Sequence, residues 1–375
     1  MKLRVAIAAF LLASCTAGTT AVTTPSTVTT PSTVTTPPVT TTTVPTTLPA
    51  PTTTTTILPS PPRRDRIVIH GVGDIVLCNC FHDVFRDSGY EIAFSGMDGL
   101  FLRDALTIGN LECAAADGGR LLSDKPNSFR CDTAALPVMA AAGFDVAAMG
   151  NNHSADYGFE AMLVARQNLD AAGLHPVGAG ANLEEATRAV FFERGGWTIA
   201  VVSFSGVSGL TYMPAYPPGP ELINPWFAET DTPGISPARF ETMTEVVAAL
   251  DQVADIVIVS LHQGEYNETH TPTDLEVRRG HALVDAGADA VIAHHHHRLL
   301  PLEVYRDRPI FWGMGNFVWA RLDADRSTTA VAEVIVEPDG SISGRLIPAF
   351  IESHAHPVLR GLPDHTLWTD RVPIR

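Results

Sequence analysis

Five apolar runs, rich in Val, Ile and Ala, each lead into residues that bind divalent metals, and this repetition restricts what the chain can fold into. Ile67-Val68-Ile69 leads to Gly73-Asp74, and Leu106-Thr107-Ile108 leads to Asn110-Leu111-Glu112. Phe144 to Ala148 leads to Asn151-Asn152-His153, Ile256 to Val259 leads to His262, and Ala290 to Ala293 runs into His294, His295, His296 and His297. Short continuous apolar runs of this kind are strands buried on both faces of a sheet. In open α/β sheets the ligand site lies beyond the carboxyl ends of the strands. One sheet would then deliver Asp, Glu, Asn and His to one place, a donor set that suits Mn, Fe or Zn. Along an extended segment alternate side chains share a face, so His295 and His297 are expected to enter the site together while His294 and His296 turn away or support them.

The intervening segments agree with this reading. Helices are predicted over residues 133–142 (Thr133 as cap), 158–172, 236–251 (Ser236 as cap, Pro237 in the first turn) and 272–286, with Gly143, Gly173 and Gly287 as stops. Alternation of strand and helix predicts an α/β fold. Beyond residue 299 the runs 299–305, 309–313, 330–336 and 342–348 follow one another as strands without helices. A two-sheet sandwich with outer helices is therefore expected over 66–350, with 351–375 as a C-terminal extension. Residues 206–235, rich in Pro and Gly, are expected to form a long surface excursion.

The N-terminus reads as a targeting segment. Lys2 and Arg4 precede an apolar stretch, Val5 to Leu12, too short to span a bilayer. Leu12-Ala13-Ser14-Cys15 resembles a lipobox, which implies removal of the segment before Cys15 and acylation of that residue. Residues 16–65 are dominated by Thr and Pro, with Thr-Thr-Pro-Ser-Thr-Val repeated in tandem at 23–28 and 29–34. Such a stretch cannot bury a core and is expected to be a disordered tether reaching on the order of 100 Å. The expected location is extracytoplasmic, on the outer face of a bacterial membrane. Setting Cys15 aside leaves four of the five cysteines. In an exported protein Cys113 and Cys131 can close the loop between them, whereas Cys78 and Cys80 are too near in sequence for an easy bridge. The formal net charge of −16 disfavours nucleic acid as a partner, and an acidic substrate would need a metal or a local basic cluster.

Taken together the motifs resemble the capsule-biosynthesis family called CapA, or poly-γ-glutamate synthesis proteins. The residues that carry the resemblance are Gly-Asp-Ile-Val-Leu at 73–77, Gly-Asn-Leu-Glu at 109–112 and the stretch 143–158 around Asn151-Asn152-His153. Gly-Ala-Gly-Ala-Asn-Leu-Glu-Glu-Ala at 178–186, Val-Ser-Leu-His-Gln-Gly-Glu-Tyr at 259–266, the run 285–297 ending in four His, and Gly-Asn-Phe-Val at 315–318 extend it. The resemblance implies a calcineurin-like metallophosphoesterase fold, a four-layer α/β/β/α sandwich with two divalent metal ions. Under it Asp74, Glu112, Asn152, His262, His295 and His297 would bind the metals, and His153 would protonate the leaving group or hold the phosphate. Asn151, Asp156, Glu265, His294 and Asn316 would stand behind the ligands. The chain departs from the family pattern at Gln263, Ala293 and His296. The implied role is a phosphoesterase-like hydrolase acting on an acidic or phosphorylated envelope polymer or its precursor, beside membrane synthase partners. The alternative is a non-catalytic component that binds the polymer.

Overall fold

The computed structural model describes residues 64–78, 80, 83–122, 127–207, 226–264 and 270–360. The leader with Cys15, the Thr/Pro-rich stretch to residue 63, and Glu265 lie outside the described residues.

The chain forms a mixed α/β fold with several sheets. β1 (Ile67–Ile75) is followed by the short helices α1 (Val84–Ser88) and α2 (Ile92–Ser95), then β2 (Leu106–Leu111), α3 (Leu136–Ala141), β3 (Val146–Ala148), α4 (Phe159–Ala171) and β4 (His175–Val177). Next come β5 (Ala179–Gly180), α5 (Leu183–Ala186), the hairpin of β6 (Val190–Arg194) and β7 (Trp197–Ser205), and β8 (Gly234–Ile235). α6 (Phe240–Asp251), β9 (Ile256–His262), α7 (Asp274–Asp285) and β10 (Ala290–His294) complete the alternating part. Strands then succeed one another: β11 (Leu302–Tyr305), β12 (Arg308–Phe311), β13 (Asn316–Val318), β14 (Thr328–Val336), β15 (Ile342–Ser353) and β16 (His356–Leu359).

Among the described residues two sheets dominate. The first runs β16-β15-β14-β1-β2-β3-β4, with β13 also paired to β1, and the second runs β11-β12-β10-β9-β7-β6. β1 to β4 are parallel neighbours, as are β7, β9, β10 and β12; in the first sheet β13 pairs with β1 in parallel, while β14, β15 and β16 are antiparallel. The inner faces pack on each other: Ile69, Leu106 and Val146 share one buried cluster with Ile199, Ile258 and Ile292. Helices cover the outer faces, Met139 and Leu169 against Val72 and Ala147 on one side, Met243, Val247 and Leu283 against Val257 and Val291 on the other. Ile256 and Ile258 of β9 face inward, and Val257, Val259 and Leu261 outward. A strand apolar on both faces has no polar position to interrupt it, which is why β9 reads as one continuous run. Each such side chain contributes roughly 1.5–3 kcal/mol through burial.

Several expectations need correction. The five donor-bearing strands belong to two sheets, β1 to β3 in one and β9 and β10 in the other. Thr133 begins a 3₁₀ turn whose cap is Asp132, accepting from the backbone N–H of Ala134. Ser236 does not cap α6; residues 236–238 are drawn alongside the end of β7, where the Ser205 N–H donates to the Ser236 carbonyl. The described end of the 206–235 segment is not a surface excursion: Trp226 and Ile235 are buried in the core, because their apolar area joins the helix-side cluster. The first sheet also continues past 350 through β15 and β16. α7 begins near its expected start, with a reciprocal capping box between Thr273 and Glu276.

Cys113 is joined to Cys131, as their loop suggested. Cys78 is joined to Cys80 as well, against expectation; their Cα atoms are 5.2 Å apart, a separation that a disulfide tolerates. The Cys113–Cys131 link closes a sequence separation of 18 residues. Replacing both by Ser is expected to lower unfolding free energy by about 3 kcal/mol. Denaturant melts of the two proteins check it, and equal midpoints would refute it.

Candidate metal centre

The geometry begins at a glycine. A Cβ on Gly73 would lie 2.0 Å from the carbonyl oxygen of Gly315, so any side chain there would push β13 off β1. The absence of one lets Asp74 and Asn316 sit opposite each other in register. Asp74, fully buried, accepts from Asn110 Nδ2 at 2.8 Å through Oδ1, and its Oδ2 is 3.2 Å from His297 Nδ1. Burial pushes its carboxyl up, but His297, His294 and the Asn110 amide outweigh this and hold it below the ordinary carboxylate range.

Glu112 follows the end of β2 and is fully buried. Its Oε1 is 3.7 Å from His262 Nε2, 3.8 Å from His153 Nε2 and 4.0 Å from His297 Nε2. Donor atoms of Glu112, His295 and His297 all lie within 4.8 Å of one another, a possible metal-binding triad. Asp74 reaches this cluster through His297, and Asn152 reaches it through His262, with Asn152 Oδ1 2.7 Å from His262 Nε2.

The supporting shell sets the tautomers. Asn316 Oδ1 accepts from His297 Nδ1 at 2.8 Å, and Asp156 Oδ2 accepts from His153 Nδ1 at 2.8 Å. Both bonds leave an Nε2 lone pair turned toward Glu112. Asn151 spends both ends on backbone and neighbours: Nδ2 donates to the Leu111 carbonyl and Asn110 Oδ1, and Oδ1 accepts from the N–H groups of His153 and Ser154. It ties the end of β2 to the turn that carries Asn152 and His153.

The His run departs from simple alternation. β10 ends at His294, and His295 and His297 have φ of 94° and 54°, the left-handed region that costs a residue with a Cβ about 1–3 kcal/mol. His295 and His297 enter the centre as expected, and His296 turns away to pair with Glu276 at 2.5 Å. His294, expected to turn away or to stand behind the ligands, lies 3.8 Å from Asp74 Oδ1 at the last residue of β10. His296 counteracts the effect of burial on Glu276 and, with Thr273, holds that carboxyl below its usual range. This pair fastens the bend to α7.

Three further side chains shape the centre and carried no sequence signal strong enough to single them out. Phe129 lies 4.5 Å, ring to ring, from His153, Trp319 lies 4.7 Å from His297, and the two aromatics meet edge to face at 5.3 Å. Asn110, read only as part of a motif, links Asp74, Asn151 and His262.

The residues suit a metal ion. Burial, then mutual repulsion among the imidazoles, holds His262 and His295 well below the usual His value, and burial pushes His294 down to about 4. These histidines are therefore neutral, the form that ligates. His294 Nδ1 and Nε2 and His295 Nδ1 are buried with no hydrogen-bond partner among the described residues, as expected of donors arranged for a cation. The sign of the pH effect follows. A His depressed in the folded state takes up its proton on unfolding, so stability is retained above about pH 6.5 and lost below it. With three such groups, metal-stripped protein is expected to lose up to about 4 kcal/mol per pH unit as pH falls from about 6 toward 4. Urea melts in chelator across that range test it; a flat profile would mean the imidazoles are not buried neutral.

Comparison with known proteins identifies the family. Residues 68–321 match the family model described as bacterial capsule synthesis protein PGA_cap. The PGA biosynthesis protein CapA of Bacillus subtilis is 31% identical over 255 residues, covering 66% of this chain and 62% of that protein. A probable polyglutamine synthesis accessory protein of Mycobacterium tuberculosis is 32% identical over 218 residues, covering 56% of this chain and 54% of its own. The capsule biosynthesis protein CapA of Bacillus anthracis is 25% identical over 329 residues, covering 84% of this chain and 75% of its own. The chain thus spans less than two thirds of the B. subtilis and M. tuberculosis proteins. Because one model runs from β1, through every strand that supplies a donor, to just past Trp319, the chain belongs to the bacterial capsule synthesis protein PGA_cap family.

Proposed function

We propose that this protein is an extracytoplasmic, lipid-anchored metallohydrolase of capsule or poly-γ-glutamate-type polymer metabolism, with a calcineurin-like four-layer sandwich. The names of its relatives support the polymer, and the lipobox at Cys15 supports the anchor. The helix–sheet–sheet–helix layering supports the fold. The observation that carries the hydrolytic reading is the convergence of three imidazole Nε2 atoms on one buried oxygen of Glu112.

Glu112, His262, His295 and His297, with Asn152 and Asp74 at the margins, would hold two divalent cations of the Mn, Fe or Zn type. Such ions supply Lewis acidity and lower the pKa of water. The protein's own part is positional. Asp156 fixes His153 with Nε2 facing the centre and stabilises its imidazolium; the ring, once protonated at Nε2, gives that proton to the departing oxygen and returns to the neutral form held by Asp156. Asn316 fixes His297 in the same way, and Phe129 and Trp319 cover two imidazoles from solvent.

The test is metal analysis of the purified protein after loading with Mn²⁺, followed by assay on phosphomonoesters and phosphodiesters. Bound metal with turnover is the expected result. Bound metal with no ester turned over would favour the polymer-binding role, and a protein that retains no metal would end both readings.

A further inference from the structure

We propose that a surface cavity beside the His run is a carboxylate-receiving subsite, in which Arg298 and His270 take up an acid group of the polymer whose place Asp325 holds in the free protein. The inference rests on the reading above for the acidic character of the polymer. The cavity has a volume of about 300 Å³ and is bounded by His270, Leu299, Leu300, Pro301, Asp325 and Thr328, among others. It adjoins the metal centre through the chain: Arg298 follows His297, and Asn316, which orients His297, also donates to the Arg326 carbonyl.

Asp325 is clamped on both oxygens, with Arg298 Nη1 2.9 Å from Oδ2 and His270 Nε2 3.3 Å from Oδ1. Its side chain is 42% exposed and that of Arg298 only 16%, so the guanidinium sits behind a carboxylate that solvent reaches. An ion pair with one exposed partner is weak and exchangeable, whereas a guanidinium fork binds an incoming carboxylate with two parallel hydrogen bonds. Leu299, Leu300 and Pro301 give the cavity an apolar wall beside that cation. The fitting ligand is a carboxylate at the end of a short methylene arm, as on a glutamyl unit. A net charge of −16 repels a polyanion at a distance, so a sheltered cation next to the centre is where such a chain would be gripped.

The bland alternative is that Asp325 and Arg298 only brace the turn before β14. The two differ in what Asp325→Ala does to binding. The probe is a labelled poly-γ-glutamate oligomer titrated into the full chain at low salt, once in chelator and once metal-loaded. Asp325→Ala is expected to tighten binding about three- to fivefold, the scale of an exposed ion pair released from competition. Arg298→Gln should weaken it, and the double variant should lose the gain, with metal content unchanged. Asp285→Ala, which removes a carboxylate paired with Arg306 elsewhere on the surface, should change little. Arg298→Lys, which keeps the charge without the fork, replaces the Gln variant if that fails to fold, and should also bind less tightly. Unchanged or weaker binding by Asp325→Ala, or equal tightening by Asp285→Ala, would overturn the proposal. Loss of ester turnover bears on the hydrolase reading alone, because the comparison in chelator is made without metal.

Discussion

Glu112→Gln is expected to reduce metal affinity by about 100-fold or more. Its Oε1 lies within 4.0 Å of three imidazole nitrogens in a fully buried place, so its charge acts with little solvent screening. The amide keeps the shape and one neutral oxygen but loses that charge. Partners behind metal ligands typically cost 10–100-fold when removed, so about 100-fold is a lower bound for a ligand itself. Metal content at fixed free Mn²⁺ measures the change, and the circular dichroism melt of metal-free protein checks that the fold survives. Affinity within about twofold of the parent would show that Glu112 is not a ligand, whatever its position.

The second large effect is on turnover. His153→Ala is expected to lower kcat by about 10²–10⁴-fold, the range of a general acid, with metal content unchanged. Asp156→Asn, which preserves the imidazole and loosens its orientation, should fall between, at roughly 10–100-fold. Steady-state kinetics on a phosphodiester, paired with metal analysis of the same samples, separates the cases. If His153→Ala loses metal together with activity, His153 is a ligand and not the acid. If kcat is unchanged, the Asp156–His153 pair is structural.

Much of this centre was legible because strands buried on both faces leave a plain signature, and the residue after such a strand is where an α/β fold presents its chemistry. The strand ends mark the stretches that hold Asp74, Glu112, Asn152, His153, His262, His295 and His297, and the family resemblance singles these residues out among their neighbours. The linear pattern misled where the backbone left the extended state. His295 and His297 share a side through positive φ at both residues, 94° and 54°, and not through the alternation of an extended strand. Ser236 looked like a cap, but its backbone was already committed to β7. Phe129 and Trp319 lie far from each other along the chain, and nothing in their neighbourhoods marks them as the cover over His153 and His297.

The sequence by itself placed the candidate donors at the ends of apolar strands and marked the family, because each depends on local pattern or on motifs read in line; the β6–β7 hairpin, with β7 inside the second sheet, carried no such mark. Only the tertiary structure decided that the donors come from two sheets. The inner faces of β1, β2 and β3 and of β9 and β10 bury the same apolar layer, and that packing brings both sets of carboxyl ends to one edge. Burial of hydrophobic area is non-directional, so a sequence states which faces must be covered without stating by what. The position of Glu112 among three imidazoles is a consequence of which face met which.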